Sequence, residues 1–258
     1  MKFLNLMIAS LIFFPTREYT ALPKDYGLIS EDVKVVANDG VTLAGWYLPA
    51  PESKGTVYLL HGNAGNIADR LFKAEGWVKR GFSVFLLDYR GYGKSTGHIQ
   101  NETSLYQDAN AGLLWLRKEK RLSNAEIILY GESIGTAPMI ELAAKERFLA
   151  LILEAPFTSF VEVTKVHYPF IPALLVNAYQ FNNKNKIESV DTPIFILHGT
   201  EDEICPYHMG ETLFRNAKSE KEMFSVPKGH HNDLPDIAGE DFYDRPVQFI
   251  EKLKGNLK

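Results

Sequence analysis

The chain of 258 residues has one cysteine, Cys205, so it cannot form an intramolecular disulfide, which fits a reducing compartment. It also has no excess of basic over acidic residues, with 28 Lys and Arg against 32 Asp and Glu. A binder of nucleic acid needs a basic surface to neutralise phosphates, so this function is disfavoured. No cluster of Cys and His has the spacing of metal ligands, and the sequence predicts no metal site.

A long hydrophobic run is missing as well. The apolar segment Phe3–Phe14 covers about twelve residues, whereas a membrane-crossing helix needs roughly 20. It is compatible with a short membrane anchor or interfacial segment, an export signal without a clear cleavage site, or a helix packed on the domain. Pro15, Pro23 and the polar residues between them predict a linker. We therefore expect an apolar segment and linker over 1–24, a domain over 25–258, and a cytoplasmic protein that associates with membranes through residues 3–14 if the anchor interpretation holds.

What the chain does have is an alternation of strand and helix patterns within an ordinary globular composition, 45% hydrophobic and 23% charged. Asn38-Asp39-Gly40 between two strand patterns predicts a hairpin. Short runs that are apolar on both faces predict parallel strands covered by helices. These runs are Thr56–Leu60, Ser83–Leu87, Glu126–Tyr130, Leu149–Leu153, Ile194–Leu197 and Glu222–Val226, and the helix patterns are Ile67–Arg80, Ser104–Lys120, Thr136–Lys145, Met209–Ala217 and Asp241–Leu253. The fold class is α/β, a mostly parallel sheet with an antiparallel N-terminal hairpin and helices on both faces.

The interval 157–190 breaks this rhythm, because it is rich in aromatics and prolines and contains no clear strand. It is too long for an ordinary connection. A small helical cap is the prediction, and an irregular loop is the alternative. Its apolar residues would form one wall of an acyl pocket or simply pack on the domain; they are Tyr168, Phe170, Ile171, Leu174 and Leu175.

Gly131-Glu132-Ser133-Ile134-Gly135 has the G-x-S-x-G pattern and lies between an apolar strand and an amphipathic helix. This context is typical of a sharp strand-to-helix turn that exposes a nucleophilic serine. The backbone N–H of Ile134, at the start of the helix, is placed to face a developing oxyanion. Ser133 is therefore the candidate nucleophile, with a structural turn serine as the alternative. The role of Glu132 stays unexplained.

A serine nucleophile needs a base and an acid to orient that base. His61 and His198 precede glycines at strand ends and are better interpreted as buried, hydrogen-bonded structural residues. The adjacent pair His230 and His231 follows the last strand, and only one of the two can meet Ser133. Asp202 is the preferred acid because its strand end precedes that histidine, in the chain order Ser, Asp, His.

Two neighbours of Asp202 are alternative acids, Glu201 and Glu203. A second oxyanion donor is expected in the glycine-rich loop after Thr56–Leu60. The backbone N–H of Asn63 is the candidate there, with that of Ala64 in reserve.

Six motifs together resemble the α/β-hydrolase superfamily over nearly the whole chain: "LLHGNAGN", "DYRGYGKSTG", "YGESIGT", "EAPFTS", "HGTEDEICP" and "GHHND". They look most similar to small serine hydrolases that include membrane-associated palmitoyl-protein thioesterases and their bacterial relatives. In that group the catalytic histidine directly precedes Asn-Asp, which implies His231 as the base. The histidine at position 230 departs from the small residue usual there.

The resemblance and the residues together predict a serine hydrolase that cleaves carboxylic esters or thioesters through an acyl-enzyme intermediate, with no metal or organic cofactor. A small-molecule acyl substrate is the expected partner, and the substrate itself does not follow from the fold. A serine peptidase acting on short peptides and a non-catalytic acyl-binding or scaffold protein are the alternatives.

Overall fold

A computed structural model describes residues 12–168, 170 and 178–255. The chain forms two compact units, one that ends at Ile127 and one that begins at Ile128. Each unit combines strands with helices, in keeping with the predicted alternation.

The N-terminal unit contains four hydrogen-bonded strands in the order β4-β6-β3-β2. β4 and β6 run parallel, with Thr56 opposite Ser83, whereas β3 is antiparallel to both β6 and β2. The predicted hairpin between β2 and β3 is present, and Gly40 takes the left-handed conformation, with φ of 83°. The strand bounds are β2 Glu31–Val36, β3 Thr42–Leu48, β4 Thr56–Leu60 and β6 Ser83–Leu87.

Two helices of this unit begin at asparagines that cap their first turns. The side chain of Asn101 accepts a hydrogen bond from the Ser104 N–H at the start of α2, Glu102–Glu119. The predicted helix from Ile67 is divided: a 3₁₀ turn, Ile67–Arg70, precedes α1, Leu71–Lys79. Asn66 and Asp69 close a capping box on that turn, which tightens the helix start. A further 3₁₀ turn, Asn124–Glu126, follows α2.

Residues 12–26, for which the sequence predicted a linker, form part of the N-terminal unit. β1, Phe14–Pro15, runs parallel to β5, Ala64–Gly65, and Phe13 is buried. A 3₁₀ turn, Pro23–Tyr26, follows. The proline-flanked stretch is therefore held by backbone hydrogen bonds, and a free linker is not what the described residues show.

The C-terminal unit contains four parallel strands in the order β10-β9-β8-β7. The central strands are buried along their whole length, as expected of parallel strands covered on both faces. The bounds are β7 Ile127–Glu132, β8 Ala150–Glu154, β9 Ile194–Gly199 and β10 Lys221–Val226. Each lies within about two residues of its predicted run.

The helices of this unit follow the predicted segments and add short ones. The helix after Ser133 is α3, Thr136–Ala143, preceded by the 3₁₀ turn Ser133–Gly135. The remaining helices are α4 Phe160–His167, α5 Asn183–Lys186, α6 Tyr207–Asn216, α7 Leu234–Ala238 and α8 Asp241–Gly255, with a 3₁₀ turn at Ile187–Ser189.

The predicted cap at 157–190 contains short helices at both ends, α4 and α5. The Ser159 side chain caps α4 by accepting from the Glu162 N–H. Ile171, Leu174 and Leu175 lie outside the described residues. Tyr168 and Phe170 are exposed, and Phe170 keeps 95% of its accessible surface.

Candidate active site

Ser133 lies directly after β7 on a strained turn. Its φ is +51°, a left-handed conformation that costs about 1–3 kcal/mol for a residue with a side chain. Gly131 makes this turn possible, because a Cβ there would lie 2.5 Å from the carbonyl oxygen of Gly135 and 2.6 Å from the Cα of Thr136. The glycine of the motif therefore permits close strand-to-helix packing. The Thr136 hydroxyl donates to the Ser133 carbonyl oxygen at 2.6 Å and fixes the turn.

The structure brings Ser133, His231 and Asp202 into one hydrogen-bonded chain. His231 Nε2 lies 2.9 Å from Ser133 Oγ, and His231 Nδ1 lies 2.8 Å from Asp202 Oδ2. Because a carboxylate can only accept, Nδ1 carries the proton and donates it to Asp202. The unprotonated Nε2 is then free to accept the hydroxyl proton of Ser133.

Asp202 is held as a carboxylate by donors on both of its oxygens. Oδ1 accepts from the backbone N–H groups of Ile204 at 2.9 Å and Cys205 at 2.7 Å. Burial alone would raise the pKa of Asp202, but the hydrogen bonds from His198 and His231 outweigh it and hold this pKa well below its usual range. Asp202 is therefore an ionised carboxylate at neutral pH.

His230 lies outside this chain of hydrogen bonds. It is exposed at the surface, with Nδ1 at 3.1 Å from Glu203 Oε2 and Nε2 at 4.0 Å from Glu201 Oε2. The hydrogen bond to Glu203 raises the pKa of His230. The two alternative acids thus face His230 and solvent, while Asp202 faces His231.

His198 is buried, as the sequence predicted, but it also contacts the acid. Its Nε2 lies 3.1 Å from Asp202 Oδ2 and 2.7 Å from the carbonyl oxygen of Cys205. Sequence reasoning missed this contact. The four-residue spacing from His198 to Asp202, at the end of one strand, was the available signal.

Cys205 is a second neighbour that sequence reasoning missed. Its thiol is buried and lies close to the Ser133 side chain. Burial, with the nearby charge of Asp202, raises the pKa of the Cys205 thiol well above its usual range. The side chain is therefore a neutral thiol beside the candidate nucleophile.

Asn63 belongs to the N-terminal unit, where residues 12–20 hold its loop. The side-chain amide of Asn63 donates to the Ile12 carbonyl oxygen at 2.5 Å. The backbone carbonyl oxygen of Asn63 accepts from the Tyr92 hydroxyl at 2.6 Å. Within the part of the chain that the structure describes, no hydrogen bond uses the backbone N–H of Asn63.

Asn66 holds the other end of the same loop. Its amide nitrogen donates to the Thr16 hydroxyl at 2.9 Å and to the Glu18 carbonyl oxygen at 2.7 Å. His61, at the start of the loop, is buried, with Nδ1 donating to the Gly62 carbonyl oxygen at 2.8 Å, in line with its structural interpretation.

Comparison with known proteins identifies the family to which this architecture belongs. Residues 51–183 match the family model described as serine aminopeptidase, S33. The chain belongs to this family of α/β hydrolases. The resemblance inferred from the motifs is therefore confirmed, and the protein is a hydrolase by family.

Among the relatives, protein bem46 of Schizosaccharomyces pombe is 34% identical over 245 residues, which cover 91% of this chain and 81% of that protein. Alpha/beta hydrolase domain-containing protein 17B of Homo sapiens is 34% identical over 213 residues, 81% of this chain and 70% of that protein. YfhR of Escherichia coli, described as uncharacterized, is 31% identical over 231 residues, 86% and 80% of the two chains.

Solved structures show the same fold at low sequence identity. The Pyrococcus furiosus esterase Pf2001 aligns with a TM-score of 0.79 at 21% identity and covers 93% of this chain and 98% of its own. An alpha-beta hydrolase from Vibrio vulnificus aligns with a TM-score of 0.76 at 22% identity, over 96% and 92% of the two chains. The predicted α/β-hydrolase fold is therefore confirmed.

Two further features bear on the predictions for membranes and metals. Across residues 12–168, 170 and 178–255, no helix is long and apolar enough to cross a membrane. Most of the apolar segment, Phe3–Leu11, lies outside the described residues. Nor do the described residues group three His, Cys, Asp or Glu side chains in a way that could hold a metal ion.

Proposed function

We propose that the protein hydrolyses carboxylic esters or thioesters through an acyl-enzyme intermediate on Ser133. The observation that carries this proposal is the continuous path of hydrogen bonds from Ser133 Oγ through both nitrogens of His231 to Asp202. It gives a weak hydroxyl nucleophile a base, and the base an acid that orients it.

In the first half of the reaction, Ser133 Oγ attacks the acyl carbonyl carbon while its proton passes to His231 Nε2. Asp202 stabilises the imidazolium that forms, because its charge lies 2.8 Å from Nδ1. The backbone N–H of Ile134 donates to the oxyanion of the tetrahedral intermediate, and that of Asn63 stays the second donor predicted from the sequence. Collapse of that intermediate breaks the bond to the leaving group, which receives the proton from Nε2.

In the second half, water attacks the acyl group on Ser133, and His231 again accepts the proton. The second tetrahedral intermediate expels Ser133 Oγ, which regains its proton, and the carboxylic acid leaves. The chain's own residues supply every proton transfer in this cycle.

The test is hydrolysis of a short-chain nitrophenyl ester by wild-type protein and by the Ser133→Ala variant. Removing a member of such a triad lowers kcat by about 10⁴-fold or more. A Ser133→Ala variant that keeps wild-type activity would overturn the proposal. A matched Ser159→Ala variant, which loses only the cap of α4, should keep its activity.

The description of the matching family, serine aminopeptidase, gives a second candidate: hydrolysis of the N-terminal peptide bond of short peptides. The same nucleophile and base would serve, but the amide is a harder substrate. Comparison of kcat/KM for an aminoacyl nitroanilide and the corresponding nitrophenyl ester separates the candidates. A preference for the nitroanilide would favour the peptidase.

A further inference from the structure

His198 lies at the end of β9 with its ring fully buried. Among the described residues, two groups lie within hydrogen-bond distance of its Nε2: Asp202 Oδ2 at 3.1 Å and the Cys205 carbonyl oxygen at 2.7 Å. Both can only accept, so Nε2 must carry the proton and donate it. The neighbours of the ring thus determine its tautomer.

The other ring nitrogen of His198 is unsatisfied. Nδ1 is buried and has no hydrogen-bond partner among the described residues. A buried polar atom without a partner destabilises a fold, so packing alone is a poor reason for a histidine at this position. Gly210 of α6 makes room for it, since a Cβ there would lie 2.2 Å from Nδ1.

The oxygen that His198 contacts is the one that orients the proposed base. Asp202 Oδ1 is occupied by two backbone N–H groups, and Oδ2 is shared between His231 Nδ1 at 2.8 Å and His198 Nε2 at 3.1 Å. A carboxylate oxygen has two lone pairs, so the two imidazoles complete its hydrogen bonding.

We propose that His198 is a positioning residue for the proposed triad and acts through Asp202. The hydrogen bond from His198 to Oδ2 fixes the plane of the carboxylate. His198 and His231 thus interact with the same negative charge on Asp202. This inference rests on the proposed function. Because His198 acts through the acid, it governs the rate of the chemical step, and its loss lowers kcat while leaving KM nearly unchanged.

The test compares the His198→Leu variant with the His198→Gln variant. Leucine removes the donor, and kcat on a nitrophenyl ester should fall about 10- to 100-fold, as when an outer partner of a functional residue is lost. The glutamine amide has two N–H groups for the same two acceptors and should restore most of the rate. Thermal melting of both variants reports whether each is folded.

Two further measurements keep the inference testable if the leucine variant does not fold. Gly210→Ala should displace the His198 ring and lower kcat, whereas Gly255→Ala, where a Cβ would meet nothing within 4 Å, should not. The proton NMR signal of the His231 Nδ1–H should shift in Gly210→Ala and stay unchanged in Gly255→Ala. That readout does not depend on turnover.

The possible failures are distinct. If Ser133→Ala is inactive while folded His198→Leu keeps kcat within about twofold of wild type, the inference is wrong and the proposed function stands. The inference is also wrong if the glutamine variant is as slow as the leucine variant, or if Gly210→Ala changes neither kcat nor the NMR signal. An active Ser133→Ala variant overturns the proposed function itself.

Discussion

Replacing Asp202 with asparagine should nearly abolish hydrolysis without changing the size of the side chain. The carboxylate accepts backbone N–H groups on Oδ1 and two imidazoles on Oδ2. An asparagine oxygen will take the place of Oδ1, because the two amide donors cannot move, and its NH₂ group will then face His231 Nδ1. Two donors cannot pair, so His231 must move its proton to Nε2, where it can no longer accept from Ser133.

The expected magnitude follows from this change of tautomer. A triad whose acid is changed to asparagine with its geometry intact loses about 10⁴-fold in kcat. The assay is the initial rate on a nitrophenyl ester at saturating substrate, with Glu203→Gln as the matched control. Glu203 contacts the exposed His230, and its variant should keep wild-type activity. An Asp202→Asn rate within about tenfold of wild type would refute the reasoning.

Three more predictions follow from the same contacts. His230→Ala should keep its esterase activity, while His231→Ala should lose it; equal losses in the steady-state rate would contradict the choice of base. The raised pKa of the buried Cys205 thiol keeps the thiolate scarce, so iodoacetamide at pH 8 should label the native protein far more slowly than the unfolded protein. Mass spectrometry measures the two labelling rates, and equal rates would contradict the burial of Cys205. Asn66→Ala should lower the free energy of unfolding in urea by about 1–3 kcal/mol, more than Asn101→Ala, because Asn66 also donates to Thr16 and Glu18 whereas Asn101 only caps a helix; equal losses would contradict the role of Asn66 in holding its loop.

The strands were predictable because parallel strands buried on both faces leave continuous apolar runs. β4 and β6 begin and end at the predicted residues, Thr56–Leu60 and Ser83–Leu87. The hairpin at Gly40 was predictable from its turn chemistry, since a left-handed φ favours glycine there. Local patterns of this kind need no knowledge of distant contacts.

Contacts between distant residues were not predictable from local patterns. Phe14–Pro15 pairs with Ala64–Gly65, which joins a stretch that contains proline to one that contains glycine. Neither stretch has a strand pattern. The bond from His198 to Asp202 depends on how the loop after β9 turns back, which no periodicity encodes. For the same reason the sequence left Glu201, Asp202 and Glu203 as three adjacent candidates. In the structure it is Asp202 whose carboxylate meets the His231 ring, at Nδ1.

The most direct test of the central claim is the site of covalent labelling by a fluorophosphonate probe. Such a probe reacts with a serine that a neighbouring base has activated. Peptide mass spectrometry should find the adduct on Ser133, in wild type and not in Ser133→Ala, with labelling greatly slowed in His231→Ala. An adduct on another residue, or hydrolysis that continues in fully labelled protein, would contradict the assignment of Ser133 as the nucleophile.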